Sequence, residues 1–199
     1  DQSQFIRRSR GYVPLPIPSP IKSYTSYVAL GANMKNTFAL SKSDQIFMSQ
    51  HIGELIDYRN LQHQQSEIEK YQELLDLVPT QYICDKHPQY ENYNSKHIQV
   101  FHHHAHFLAV LGEHNLIGES ILGVVADGTG YGSDNTIWGF EFLKQSNNNT
   151  DFTRLATLCP FPLVGSEKAI SEIDRIGISL DPTSKQFSVE RVNAIQKLH

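Results

Sequence analysis

Four of the chain's ten histidines fall within five positions, His102-His103-His104-Ala105-His106. On a helix His102 and His106 stand at i and i+4, so both imidazoles leave one face about one turn apart, a spacing that can chelate a single cation. His103 and His104 point elsewhere. Further on, an apolar run delivers Asp127 just ahead of Gly128-Thr129-Gly130-Tyr131-Gly132. Glycines at alternate positions beside a carboxylate suit a turn whose backbone amides approach a phosphate. A Cβ would block close approach or positive φ there, and the carboxylate can bind the accompanying cation. Each pattern also has a plainer reading. A histidine pair without a third ligand fits two ordinary histidines, and Asp-Gly is above all a hairpin signal.

These residues need elements to position them. Residues 98–101 are β-rich and too short for a helix, while Phe107, Leu108, Val110 and Leu111 suit a helix packed on a sheet, so the histidines sit where a strand hands over to a helix. Residues 121–126 are continuously apolar, which predicts a central strand ending at Asp127, and the alternation over 136–143 predicts the hairpin partner. Upstream, 27–31, 37–40 and 46–49 read as an antiparallel meander. Its first turn holds Gly31, Asn33, Lys35 and Asn36, either a second phosphate-facing turn with Lys35 as charge partner or a polar hairpin loop. Residues 53–77 read as a helix with Leu55, Leu74, Leu75 and Leu77 inward and 62–72 solvated. A strand over 81–84 ends at Asp85-Lys86-His87-Pro88. Asp85 or His87 could line the same cleft, since ligands in α/β sheets gather at strand carboxyl ends; a simple strand-to-loop turn is the other reading. After a strand over 152–158 comes a polar, helical tail.

Composition narrows the class. The 199 residues are 39% hydrophobic, with net charge -4 and a sequence pI near 6.2, which favours a globular chain and neither nucleic acid nor an anionic membrane as partner. There is no apolar run long enough to span a bilayer and no secretory leader pattern, so the expected compartment is the cytoplasm. Cys84 and Cys159 form no C-x-x-C and lie in apolar runs, so both are expected to be packed, and no residue is identified as a covalent nucleophile. Arg7, Arg8 and Arg10 suit a phosphate contact or a solvated surface, and Pro14, Pro16, Pro18 and Pro20 hold an extended connector that reads as a domain boundary.

The stretches FHHHAH, the downstream VADGTGYGSDNTIWGFEF, and the upstream LGANMKNTFAL with SQHIGEL resemble the HypF-type carbamoyltransferases, maturation factors that make the cyanide ligands of nickel-iron hydrogenases. The resemblance implies an α/β fold of the ribonuclease H-like, actin-like ATPase superfamily. Residues 1–24 would be the tail of the adenylating, YrdC-like module with its linker, 25–118 the first ribonuclease H-like subdomain of the transfer domain, and 119–199 the incomplete start of the second. It implies that carbamoyl phosphate and ATP give carbamoyl adenylate, and that the carbamoyl group passes to the C-terminal cysteine of a HypE-type acceptor. His102, His106 and Asp127 would hold a divalent transition metal, iron or zinc by the chemistry of two imidazoles and a carboxylate, with magnesium accompanying the nucleotide. Lys35, Asn36, Gly128, Thr129, Gly130 and Gly132 would face the nucleotide phosphates. Residues 165–175 match the family's double-glycine stretch only weakly, and the rest of the second lobe is not in this sequence, so the chain alone is expected to bind without turning over. Two other classes fit the same architecture: an actin-like ATPase or kinase, which needs no histidine pair, and a non-catalytic binding relative.

Overall fold

A computed structural model of the protein describes residues 12–145 and 151–198, divided into two compact units between Ala156 and Thr157. Arg7, Arg8 and Arg10, with the rest of residues 1–11 of the expected tail, lie outside the described residues. In the first unit part of the proline-rich connector is a short strand, β1 (Ile17–Pro18). The expected meander follows as β2 (Tyr27–Ala29), β3 (Ala39–Lys42) and β4 (Gln45–Met48). Helix α1 (Tyr58–Leu75) then crosses to β5 (Gln81–Asp85), and β6 (Ile98–Val100) lies beside it. β2 pairs antiparallel with β3 but parallel with β5, and β5 pairs parallel with β6. The resulting order, β1-β4-β3-β2-β5-β6, is a meander extended by parallel crossovers, the ribonuclease H-like arrangement. Alternation on β2 to β4 buries Val28, Leu40 and Phe47 on one face, where Phe38 meets Tyr71 of α1 edge to face at 5.3 Å.

The helix differs from its expected limits. It begins at Tyr58 because residues 53–55 are used by the turn before β3: the Asn36 amide donates to the Gly53 carbonyl, and the Leu55 amide to that of Asn33, both at 2.9 Å. The Asp57 side chain caps the new start by accepting from the Arg59 amide, and Asp76, left-handed at φ 47°, ends it. The buried stripe is Gln64, Ile68 and Tyr71, an i, i+4, i+7 set within the span expected to be solvated, whereas Leu74 is exposed. The inward glutamine hid that stripe from a purely apolar reading. Its buried Nε2 donates to the Leu30 carbonyl at 2.9 Å and to Asn36 Oδ1 at 2.8 Å.

After β6 the chain enters α2 (His102–Glu113), then β7 (Ile121–Tyr131), β8 (Ile137–Gln145) and β9 (Phe152–Thr157), a sheet of order β7-β8-β9. Among the described residues β7 is therefore an edge strand, not the expected central one. Val125 is buried while Leu122 and Val124 are exposed, so the continuous apolar run conceals a one-sided alternation. Phe107 and Leu111 of α2 close the covered face with Val125, Trp138 and Leu143. In the second unit α3 (Glu167–Ser171), α4 (Asp174–Leu180) and α5 (Val189–Gln196) bear out the helical tail. They pack around Val164, Ile178 and Ile195, with Arg191 bridging Glu172 and Asp174. Cys84 is buried as expected; Cys159 is exposed, contrary to expectation. Among the described residues no helix is long and apolar enough to cross a membrane.

Gln64→Met keeps the volume but leaves Asn36 Oδ1 without its donor, which costs about 1–3 kcal/mol. Urea denaturation should show a lower midpoint with an unchanged slope.

Candidate functional site

The parallel pairing of β5 and β6 sets Asp85 opposite Val100, so the end of one strand lies beside the start of α2. Helical spacing turns His102 and His106 to the same side, with their Nε2 atoms 3.2 Å apart. Asp127 arrives from the other direction. Between Ala126 and Gly130 the pairing of β7 with β8 slips: Ala126 faces Phe140 and Gly130 faces Trp138, so four steps on β7 match two on β8. This bulge carries Asp127 toward α2, a common way for a strand to re-aim one side chain. Asp127 Oδ2 lies 3.0 Å from His102 Nε2 and 3.9 Å from His106 Nε2. Ligand atoms around a tetrahedral zinc with bonds of ~2.0–2.1 Å are separated by roughly 3.3 Å, so these three separations are of the right size to share one cation. The three expected ligands are thus brought together, their donor atoms within 4.8 Å of one another.

Asp127 Oδ2 is shielded from water, and the groups it faces are the two imidazoles, with His102 Nε2 the nearer at 3.0 Å. Asp85, weighed in sequence only as a residue of the cleft, reaches His102 from behind: its Oδ2 is 2.8 Å from Nδ1. The other two histidines are elsewhere, as the helical spacing requires. His103 is fully buried with Nε2 2.9 Å from the Gly139 carbonyl, and the His104 ring packs on Phe152 at 4.4 Å.

The residues expected to face phosphate are placed differently from one another. The Asp-Gly step is not the hairpin tip, because β7 runs on to Tyr131 and the turn spans 132–136. Gly130 and Gly132 are glycines for packing reasons: a Cβ would come 2.5 Å from His103 Nδ1 at the first and 2.0 Å from Trp138 Nε1 at the second. The Gly132 amide is bound by the Thr136 carbonyl, and that of Gly128 by the Asp127 side chain. Thr129 lies within the bulge, half-buried, and the open space beside exposed Gly128 would admit a Cβ. In the other turn Asn36 is buried, its Nδ2 donating to the carbonyls of Leu30 and Ala32, so its amide is committed to the fold. Lys35 is exposed and left-handed at φ 48°, with its amide on Glu54 Oε1.

One supporting network was missed in sequence. Glu141, fully buried, accepts from the Gly139 amide at 3.1 Å and from Arg154 Nε at 2.6 Å, while Arg154 lies over Trp138 at 4.2 Å. Its sequence signal is an acid at an inward position of a strand, with a cation on the next strand. Near the site, His87 stacks on Tyr90 at 4.2 Å and meets Tyr131 edge-on at 5.5 Å. Burial, then the charges of Asp85 and Asp127, push the Tyr90 phenol above its usual value.

The two clustered histidines titrate in opposite directions. The hydrogen bond that His102 donates to Asp85 raises it above the ordinary histidine value, against desolvation and with help from both carboxylate charges and a hydrogen bond to Asp127. Burial depresses His106, and a charge on His102 depresses it further.

With this geometry in place, comparison with known proteins decides the family. A family model described as the HypF Kae1-like domain matches residues 22–113, and one described as the second subdomain of the carbamoyltransferase Kae1-like domain matches residues 123–197. The chain belongs to the HypF carbamoyltransferase family. Carbamoyltransferase HypF of Synechocystis sp. is 41% identical over 182 residues, covering 88% of this chain and 24% of that protein. The HypF of Rhizobium leguminosarum is 35% identical over 181 residues, covering 88% and 23%. A full-length HypF crystallised in a phosphate- and nucleotide-bound form superposes with a TM-score of 0.84 at 33% identity, over 96% of this chain and 27% of that one. The HypF of T. kodakarensis gives 0.74 at 30% identity, over 95% and 25%. The chain thus spans about a quarter of the length of the HypF relatives it matches. The Kae1-like assignment agrees with the ribonuclease H-like order of the first sheet.

A folded-state pKa above the unfolded one adds stability that is fully present below the unfolded value and lost as pH rises through the folded one. In a His106→Gln background, which removes the opposing titration, His102→Gln should therefore destabilise the chelator-treated protein most at pH below 6.5. The penalty should shrink as pH rises through the elevated value. Thermal melts across pH check this; a penalty that grows toward alkaline pH reverses the assignment.

Proposed function

We propose that this chain forms the metal-holding part of the transfer domain of a HypF-type carbamoyltransferase acting in hydrogenase maturation. The observation that carries the reading is the convergence of His102 Nε2, His106 Nε2 and Asp127 Oδ2, brought together from a helix and a strand bulge. Two imidazoles and one carboxylate fit iron or zinc, and the water-shielded Oδ2 of Asp127, facing both rings, is a further mark of fit. A divalent metal held there supplies a Lewis acid for the carbamoyl carbonyl and a counter-charge for the adjoining phosphate.

The chain's own residues do the rest of the positioning. The bulge fixes Asp127 against α2, while Asp127, His102 and His106 set the point at which the carbamoyl group is presented. Lys35 and the segment 128–132 are proposed to lie toward the nucleotide side, with Thr129 and Gly128 the members left open by the packing. The substrates proposed are carbamoyl phosphate and ATP, passing through carbamoyl adenylate formed in an adenylating module, with magnesium accompanying the nucleotide. The acceptor is the C-terminal cysteine thiolate of a HypE-type partner, in the cytoplasm. Cys84 is buried in the first core, so its thiol is not offered as a nucleophile.

Elemental analysis of the purified chain and its variants tests the metal assignment. His102→Ala and Asp127→Ala should lose most of the bound iron or zinc, while His104→Ala, which alters a ring outside the cluster, keeps it. Equal loss in all three, or in none, sinks the ligand set. In full-length protein containing this segment, Asp127→Ala should lower transfer from supplied carbamoyl adenylate to the acceptor cysteine by about 10²-fold, the scale of losing one preorganised electrostatic contact. Mass spectrometry of the acceptor reads it; undiminished carbamoylation removes Asp127 from the reaction.

A further inference from the structure

We propose that a polar cleft between α1 and the segment 91–97 is a binding site for a guanidinium group, carried either by a small molecule or by an arginine side chain of a polypeptide. The site lies apart from the metal cluster and does not rest on the metal reading. Side chains alternate along β5, so Tyr82 and Cys84, which pack with the first core, face away from Asp85 and the histidines.

The cleft has a volume of about 410 Å³, room for a small ligand, and Gln64, Tyr82 and His97 form part of its wall. Gln64 is fully buried, and its amide cannot turn over. Nε2 donates to the Leu30 carbonyl and to Asn36 Oδ1, both acceptors, while the Asn36 amide nitrogen is itself committed to the carbonyls of Leu30 and Ala32. Oε1 is thereby held on the other side of the amide, buried and without a hydrogen-bond donor. A buried acceptor is normally paired, and the cleft is the open space that Gln64 borders. His97 repeats the pattern. Its Nδ1 is buried and unpartnered, a second acceptor when the ring proton sits on Nε2, and its ring stacks on Tyr82 with centroids 5.4 Å apart and planes inclined by 23°.

The charge around these acceptors selects the donor. Exposed Glu69 and Glu91 also line the cleft, and neither has an ion-pair partner among the described residues, whereas Glu67 of the same helix is paired with Lys70 at 2.6 Å. Among the described residues the lining contains no lysine or arginine. The segment that carries Glu91 is pinned to the end of β2: its amide donates to Asn33 Oδ1 at 3.1 Å, and Asn92 Nδ2 to the Leu30 carbonyl at 3.2 Å. Buried acceptors with carboxylates at the exposed edge fit a cation rich in N–H donors. A guanidinium spreads its donors over one plane and stacks on aromatic faces, which suits separate acceptors beside the Tyr82–His97 ring pair; an ammonium is a compact point charge with no plane to lay on the rings.

NMR titration of the isotope-labelled full chain with N-acetyl-arginine amide, free L-arginine and N-acetyl-lysine amide tests the site. The Gln64 side-chain amide and the Tyr82 and His97 signals should move saturably, with Kd on the order of 1 mM for the arginine ligands. The lysine ligand should bind at least about threefold more weakly. Tighter binding of blocked than of free arginine identifies an arginine within a polypeptide as the source, and the reverse order a small molecule. His97→Phe keeps a ring on Tyr82 but removes the acceptor, and should lower affinity about tenfold. The double variant Glu69→Gln and Glu91→Gln should lower it about three- to tenfold and weaken its salt dependence. Neither change touches the Gln64–Asn36 network that the fold needs. No movement at Gln64 with either arginine ligand, equal binding of the lysine ligand, or unchanged affinity in either variant overturns the proposal, the first of these leaving an ordered water as the partner of Oε1.

Discussion

The site depends on how closely the first turn of α2 lies against β7. Gly130 marks the contact, because any Cβ there would stand 2.5 Å from His103 Nδ1 and 3.0 Å from His102 Cβ. A helix packed through apolar side chains alone can rotate somewhat about its axis, since dispersion is not directional. Here the rotation is fixed by a directional contact, His103 Nε2 to the Gly139 carbonyl, in a fully buried position where leaving it unmade is costly. Once His103 is fixed inward, the 100° step of the helix turns His102 and His106 outward on one side. The histidine outside the cluster thus decides where the other two point.

The partner of that helix has to be equally well fixed. Gly139 sits on β8 between Trp138 and the buried Glu141, and its amide is held by the same glutamate that pairs with Arg154. Arg154 in turn reaches Asp134 at 3.0 Å, and Asp134 accepts from Trp138 Nε1 at 2.9 Å. Exposed ion pairs contribute little, but this pair has one end fully buried and several shared hydrogen bonds, which makes it a brace for the hairpin. With β8 braced, the two extra residues of β7 must be taken up as a bulge, and the bulge delivers Asp127.

Much of this was legible in the sequence because it depends on local periodicity. The i, i+4 relation of His102 and His106, the strand-to-helix handover before them and the meander of β2 to β4 all follow from spacing, and each is found where spacing put it. What was misjudged depends on partners distant in the chain. Whether the apolar run of β7 is central or an edge turns on which strands flank it, which the run does not encode. Gln64 looks like a surface residue until Leu30 and Asn36 are seen to accept its protons. Gly130 and Gly132 suggested phosphate because glycine signals close approach of something; only the fold shows that at these two positions it is a histidine and a tryptophan. Asp85 was within the sequence's reach, as the acid of a D-x-H-P turn at a strand end, yet its meaning needed the β5–β6 register.

The electrostatics of the cluster follow from the same placement. Two carboxylates, Asp85 and Asp127, flank a single imidazole at 2.8 and 3.0 Å, so His102 lies where positive charge is favoured, and its raised pKa expresses that preference. His106, at 3.9 Å from Asp127 Oδ2 against 3.0 Å for His102, is pushed the other way by burial and then by a charge on His102, so the pair tends to carry one positive charge and not two. A proton on His102 and a cation shared by the three donors answer the same need, and they exclude each other because both require the Nε2 lone pair. Binding a divalent ion would therefore release the Nε2 proton. The Asp85 carboxylate serves both states, as a counter-ion to the imidazolium and as a hydrogen-bond partner behind the metal-bound ring.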